Sequence, residues 1–102
     1  MSDLQELTSK IVKFRDKRGW DKQDGKENAK NMAISLLIEA TELLGLFQWR
    51  KDNKLPKKKR EEFEGELIDV LYWVLLIAHD FKIDIKKAFI KKMKKNKIKY
   101  PA

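Results

Sequence analysis

The residues of this chain best suited to chemistry are four carboxylates, set as two pairs: Glu39-Ala-Thr-Glu42 and Glu66-Leu-Ile-Asp69. On a helix, residues three apart are surface neighbours about 5–6 Å apart at Cβ, so each pair shares one face. Apolar residues flank both pairs: Leu36, Leu37, Ile38 and Leu43 around the first, Leu67, Ile68, Val70 and Leu71 around the second. Segments 31–49 and 66–81 contain no Lys or Arg at all. A partly buried carboxylate without a counter-charge is costly, and its pKa is pushed up unless a ligand neutralises it. One such pair would be an ordinary solvated helix face. Two pairs, each in an apolar and cation-free segment, point to a divalent cation bridging facing helices. Oxygen-only ligands suit Mg²⁺ or Mn²⁺.

Other chemistries are excluded by composition. The chain has no Cys, so it has no thiolate nucleophile and no Cys-based zinc or iron–sulfur site. Di-iron bundles use Glu-x-x-His, and the single His, His79, does not follow a Glu by three residues. It reads as a helix-end histidine. Polar and aromatic residues extend the two carboxylate faces. Asn31, Ser35, Glu39, Glu42 and Trp49 fall on one helical stripe, and Glu66, Asp69 and Trp73 on another. A tryptophan beside a metal cluster is placed to stack on a nucleobase, and Trp20 is a third candidate.

Helices must position these residues. Leu4, Leu7, Ile11 and Phe14 predict a first helix over 3–17, with Ser2 or Asp3 as N-cap. Gly19 to Gly25 is a loop by composition. A second helix is predicted from Asn28 to Gln48, with Met32, Leu36, Leu37, Ala40, Leu43, Leu44 and Phe47 as its apolar face. Asp52 to Pro56 breaks the chain, and a third helix runs from Lys58 to Asp80. It is apolar on nearly every side from Val70 to Ala78, which predicts burial against a second subunit. A fourth helix over 84–96 has Asp84 as N-cap and turns Ile85, Ala88, Phe89 and Met93 inward. No strand pattern or hairpin turn is present. The fold class is all-α, an up-and-down four-helix chain forming an oligomeric helical bundle, with residues 1–102 as one domain.

Charge is distributed unevenly. The net +8 resides arithmetically in 82–102, where nine Lys meet one Asp. Basic segments thus border two acidic ones, unlike a uniform nucleic-acid-coating surface. The longest apolar run, Val70 to Ala78, is nine residues, about half of a bilayer span. The polar N-terminus carries no secretory signal, so a cytoplasmic protein with no membrane partner is expected.

These residues together resemble the MazG-like all-α nucleoside triphosphate pyrophosphohydrolases, most of all their small dCTP pyrophosphatase branch. The resemblance rests on Glu39…Glu42-Leu43…Phe47-Gln48-Trp49, on Glu66-Leu67…Asp69-Val70-Leu71, and on Lys92…Asn96…Lys99-Tyr100-Pro101. Phe14…Arg18-Gly19-Trp20 and Lys30-Asn31 extend it over nearly the whole chain. It departs where relatives carry His-x-Pro before the Lys-Asn pair, since Glu27-Asn28-Ala29 stands here, and where Trp73 replaces a frequent Tyr. The resemblance implies that Glu39, Glu42, Glu66 and Asp69 hold Mg²⁺ and form the catalytic centre. It implies that Trp20 and Trp49 border the base pocket; Asn31 and Trp73, placed on the two carboxylate stripes by their spacing, are further substrate-binding candidates. It further implies that Lys92, Asn96 and Tyr100 reach the phosphates or sugar, from a neighbouring subunit of a homodimer or homotetramer. The activity implied is Mg²⁺-dependent hydrolysis of (deoxy)nucleoside triphosphates to monophosphate and pyrophosphate, in the service of nucleotide-pool clearing. Two other classes remain: a basic helical nucleic-acid-binding module, drawing on the eight lysines of 86–99, and a catalytically silent nucleotide-sensing bundle.

Overall fold

The structure, a computed structural model, describes residues 2–21 and 28–102. Residues 22–27, much of the loop expected after the first helix, lie outside the described part. Four full α-helices follow in order among the described residues: α1 (Asp3–Lys17), α2 (Ala29–Gly45), α3 (Arg60–Asp80) and α4 (Ile85–Lys99). No strand occurs among the described residues, and the fold is all-α as expected. None of the described helices is long and apolar enough to cross a membrane.

Local side chains set the helix starts. Ser2 Oγ accepts from the Gln5 N–H at 3.2 Å, and Gln5 Oε1 accepts from the Ser2 N–H at 2.9 Å, a reciprocal cap on α1. Asn28 caps α2 by accepting from the Asn31 N–H, and Asp84 caps α4 by accepting from the Lys87 N–H. A 3₁₀ turn, Lys57–Lys59, leads into α3.

The helix ends depart from the sequence pattern. The second helix stops at Gly45 rather than Gln48, because the chain tightens into bonds such as Gln48 N–H to Gly45 O and Arg50 N–H to Phe47 O, both 3.1 Å. Trp49 then takes a left-handed backbone conformation, φ 70°. It therefore leaves the stripe on which a continued helix would place it. The fourth helix instead runs beyond 96 to Lys99, with no breaker before Pro101.

Helices α2 and α3 run antiparallel. Phe47 meets the Phe63 ring edge-on at 6.2 Å, Glu39 and Glu42 meet Glu66 further along, and Met32 shares a small cavity with Trp73 and Leu76. Helix α1 is fixed to α3 by Phe14 against Tyr72, at 6.4 Å between centroids, and by an ion pair from Arg15 to Asp80. The buried set among the described residues is small: Met32, Leu75, Leu76 and Ala78, with the charged Arg15. The apolar run 70–78 supplies Leu75, Leu76 and Ala78 to this core within the chain itself, where burial against a second subunit was expected.

Two expected inward faces are not covered by the chain itself. Leu37 and Leu44 of α2 are 65% and 71% exposed, and Phe89 of α4 is 62% exposed. No described helix of the same chain packs along α4. The physical reason is the direction in which α4 leaves α3, which opens a cleft of about 560 Å³ between the first half of α1, the end of α3 and the start of α4. That cleft touches none of the four carboxylates. The radius of gyration, 16.3 Å, exceeds the value of about 13 Å for a compact chain of this length.

A carboxylate cluster as candidate metal centre

Antiparallel packing of α2 on α3 brings the two acidic pairs together. Glu39, Glu42 and Glu66 each offer an oxygen, and these oxygens lie within 4.8 Å of one another. Glu39 and Glu66 are half-buried, and Glu42 is exposed. The Oε2 atoms of Glu39 and Glu66 are buried without a hydrogen-bond partner. Among the described residues, no Lys or Arg forms a salt bridge with any of the four acids.

Electrostatics follow from this arrangement. Loss of solvent pushes the Glu39 carboxyl above its ordinary value, and a hydrogen bond with Glu42 and the charges of Glu42, Asp69 and Glu66 push it further. The Glu66 carboxyl is likewise raised, first by loss of solvent, then by Glu42, Asp69 and Glu62. Asp69 stands outside the tight trio yet is close enough to act on both buried members. The expectation that partly buried, unpaired acids would resist ionisation is met at these two positions.

Orphaned, half-buried carboxylate oxygens converging from two helices are what a hard divalent cation satisfies. The donor set is all oxygen. It fits Mg²⁺ or Mn²⁺ and offers no soft ligand for copper or an iron–sulfur cluster. His79, in the last turn of α3, is exposed and takes no part in the cluster.

The other candidate residues divide into two groups. Trp73 continues the Glu66–Asp69 stripe on α3 and lines a small cavity with Trp20 at the end of α1. Asn31 lies in the first turn of α2, exposed. Trp49 is 91% exposed beyond the end of α2. Lys92, Asn96 and Tyr100 are not brought to the cluster within one chain, because no described helix of this chain packs along the helix that carries them. Sequence reasoning missed the Arg15–Asp80 ion pair. Its signal was a charged residue at Arg15, four after Ile11, on a face otherwise marked by Leu4, Leu7, Ile11 and Phe14.

The sequence model of the MazG-like family matches residues 34–102, which hold all four carboxylates. The chain belongs to the MazG-like family. The resemblance carried by the acidic pairs and the Phe-Gln-Trp and Lys-Tyr-Pro pieces is thereby borne out. Among curated relatives, dCTP pyrophosphatase 1 of mouse is 30% identical over 103 residues, 96% of this chain, and that of human is 28% identical over 97% of it. This chain spans 59% of the length of those relatives. The crystal structure of a pyrophosphatase from Archaeoglobus fulgidus matches all of this chain and 95% of its own, with a TM-score of 0.86 and 34% identity. The MazG-like fold of this chain thus accounts for the pairing of its acidic helices.

Proposed function

We propose that this MazG-like chain hydrolyses (deoxy)nucleoside triphosphates to a monophosphate and pyrophosphate, with Glu39, Glu42, Glu66 and Asp69 holding Mg²⁺. The observation that carries the reading is the trio of carboxylates that bring one oxygen each within 4.8 Å, together with the buried, unpartnered Oε2 atoms of Glu39 and Glu66. The names of the relatives, dCTP pyrophosphatase 1 and a pyrophosphatase, support the reaction class. Mn²⁺ would satisfy the same ligands. Residues 1–102 act as one such domain, and its place is the cytoplasm, where it clears nucleotide pools.

A triphosphate is strongly anionic and is repelled by the bare cluster. Held by Glu39, Glu42, Glu66 and Asp69, Mg²⁺ would supply charge neutralisation and Lewis acidity at the phosphates. Glu39, its carboxyl held above the ordinary range by burial, is the group we assign to take the proton from the attacking water. Trp20, Asn31, Trp49 and Trp73 border the nucleoside. Lys92, Asn96 and Tyr100 share one side of α4, at i, i+4 and i+8. They reach the phosphates from a second copy in a homodimer or homotetramer, with Lys92 as a mobile point charge. The exposed apolar faces of α2 and α4 support such an assembly.

Glu42→Gln and Asp69→Asn are expected to abolish turnover while leaving the helical circular-dichroism spectrum intact. Near-wild-type activity in both would overturn the metal assignment.

A further inference from the structure

The most deeply buried ion pair among the described residues plays no part in the carboxylate cluster. Arg15 is 5% exposed, and its Nη1 donates to Asp80 Oδ2 at 2.6 Å across 65 residues of sequence. The Asp80 side chain is itself 2% exposed. Arg15 Nε also donates to Asp16 Oδ1 at 3.1 Å. Removing such a pair from water costs several kcal/mol, which its attraction seldom exceeds, so a buried pair is weak evidence of stability. What it supplies is direction. Apolar contact is non-directional, and with only Met32, Leu75, Leu76 and Ala78 as buried apolar residues among those described, packing alone specifies the seat of α1 poorly.

The pair lies where that seat matters. Arg15 and Asp80 line one small cavity with Trp20, Met32, Trp73 and Leu76. On α3, Glu66, Asp69, Trp73, Leu76 and Asp80 follow at i, i+3, i+7, i+10 and i+14, a single stripe. Trp73 therefore stands about 6 Å of helix rise beyond Asp69. Trp20, just beyond the end of α1, is tied to the same cavity through α1. Its ring meets Phe14 edge-on at 5.8 Å, Phe14 meets Tyr72 at 6.4 Å, and Tyr72 meets Trp73 at 5.2 Å. The spacing of the two indoles is thus set by how α1 sits on α3.

We propose that the Arg15–Asp80 ion pair is a positioning device for the nucleoside: it locks the end of α1 onto α3, so that Trp20 and Trp73 stand ready one turn beyond the carboxylates. The inference rests on the nucleotide reading given above. Neither residue touches the substrate. Both act through the indoles, and their loss weakens nucleoside binding while leaving the phosphate side and the proton transfer in place.

The test uses the full chain in its native assembly and compares Asp80→Asn, Arg15→Met and the exchange Arg15→Asp with Asp80→Arg. Each is measured well below its own melting temperature with the best nucleoside triphosphate. Each single variant is expected to raise KM about ten-fold or more, with kcat kept within about two-fold. Inhibition by inorganic tripolyphosphate, which has no base, should be unchanged, and the exchange should recover most of the KM. An unchanged KM in both single variants overturns the proposal. So does a KM rise matched by an equal loss of tripolyphosphate binding, or one that the exchange fails to recover. Should the single variants not fold, Arg15→Lys keeps the charge and loses the fork, and a several-fold KM rise is required of it. A wild-type chain that binds and turns over no nucleotide overturns the underlying reading as well, whereas an active wild type with insensitive variants overturns this proposal alone.

Discussion

On the proposed metal site, Glu39 and Glu66 place function and stability in opposition. Both carboxyls are held above their ordinary value of 4.5, by loss of solvent and by neighbouring acids. A group whose pKa is higher folded than unfolded binds more protons in the native state, so its contribution falls as pH rises. The metal-free protein is therefore expected to lose melting temperature as pH is raised from about 4.5 towards the raised folded values, and Glu39→Gln to lose less. Thermal melts in EDTA across that range check this, and identical pH profiles for the two proteins would contradict it. At neutral pH, Mg²⁺ at a hundred-fold excess over Kd adds about 2.7 kcal/mol to the wild type, and Glu39→Gln should lose most of that gain. The four acids were legible in the sequence, because residue type, spacing and the missing cations all point the same way. The Arg15–Asp80 pair was not, since 65 residues separate its members and only the tertiary fold joins them. Nor does the sequence disclose that Trp49 leaves its helix at φ 70°.

The helices are where the sequence spoke most clearly, and their C-terminal ends where it spoke least. N-caps are written in single side chains, and Ser2, Asn28 and Asp84 all perform that role. C-terminal ends depend on backbone geometry that several residue types tolerate. At the end of α3, Ile83 N–H donates to Ala78 O at 2.8 Å and Lys82 N–H to His79 O at 3.1 Å. This six-to-one and five-to-two pattern places Lys82 in the left-handed region, φ 55°, where glycine is usual. Lys82→Gly is expected to stabilise the chain by about 0.5–1 kcal/mol. Chemical denaturation would register this as a higher midpoint at unchanged slope, and a lower midpoint would contradict the account. The α3–α4 turn also sets the direction in which α4 departs, so the same residue bears on how the lysine-rich helix is presented.

At the scale of the whole molecule, large apolar side chains of α2 and α4 stay uncovered by the described part of the chain. Its radius of gyration is 16.3 Å, and Leu37, Leu44, Phe89 and Tyr100 each remain more than 60% exposed. On α4, Ile85, Phe89, Met93, Asn96 and Tyr100 share one side, bordered by Lys92, a seam suited to a second copy of the chain. Sedimentation should find an oligomer, and Phe89→Asp combined with Met93→Asp should release monomers and remove activity together. A fully active wild-type monomer would contradict this. Helical periodicity made the apolar side of α4 legible, because periodicity marks which face avoids water. It does not say which chain covers that face, and so α4 was expected to turn inward when no described helix of its own chain packs along it. The uneven charge is plain at this scale: acids gather at the cluster, while 82–102 carries nine lysines, and on the proposed reading these meet the anionic substrate. The most direct measurement is a product assay on a panel of dNTPs and NTPs including dCTP, with Mg²⁺ and with EDTA, reading pyrophosphate and orthophosphate separately. The account predicts Mg²⁺-dependent release of monophosphate and pyrophosphate in equal amounts, abolished by EDTA. Orthophosphate as the product, or no turnover across the panel, would contradict it.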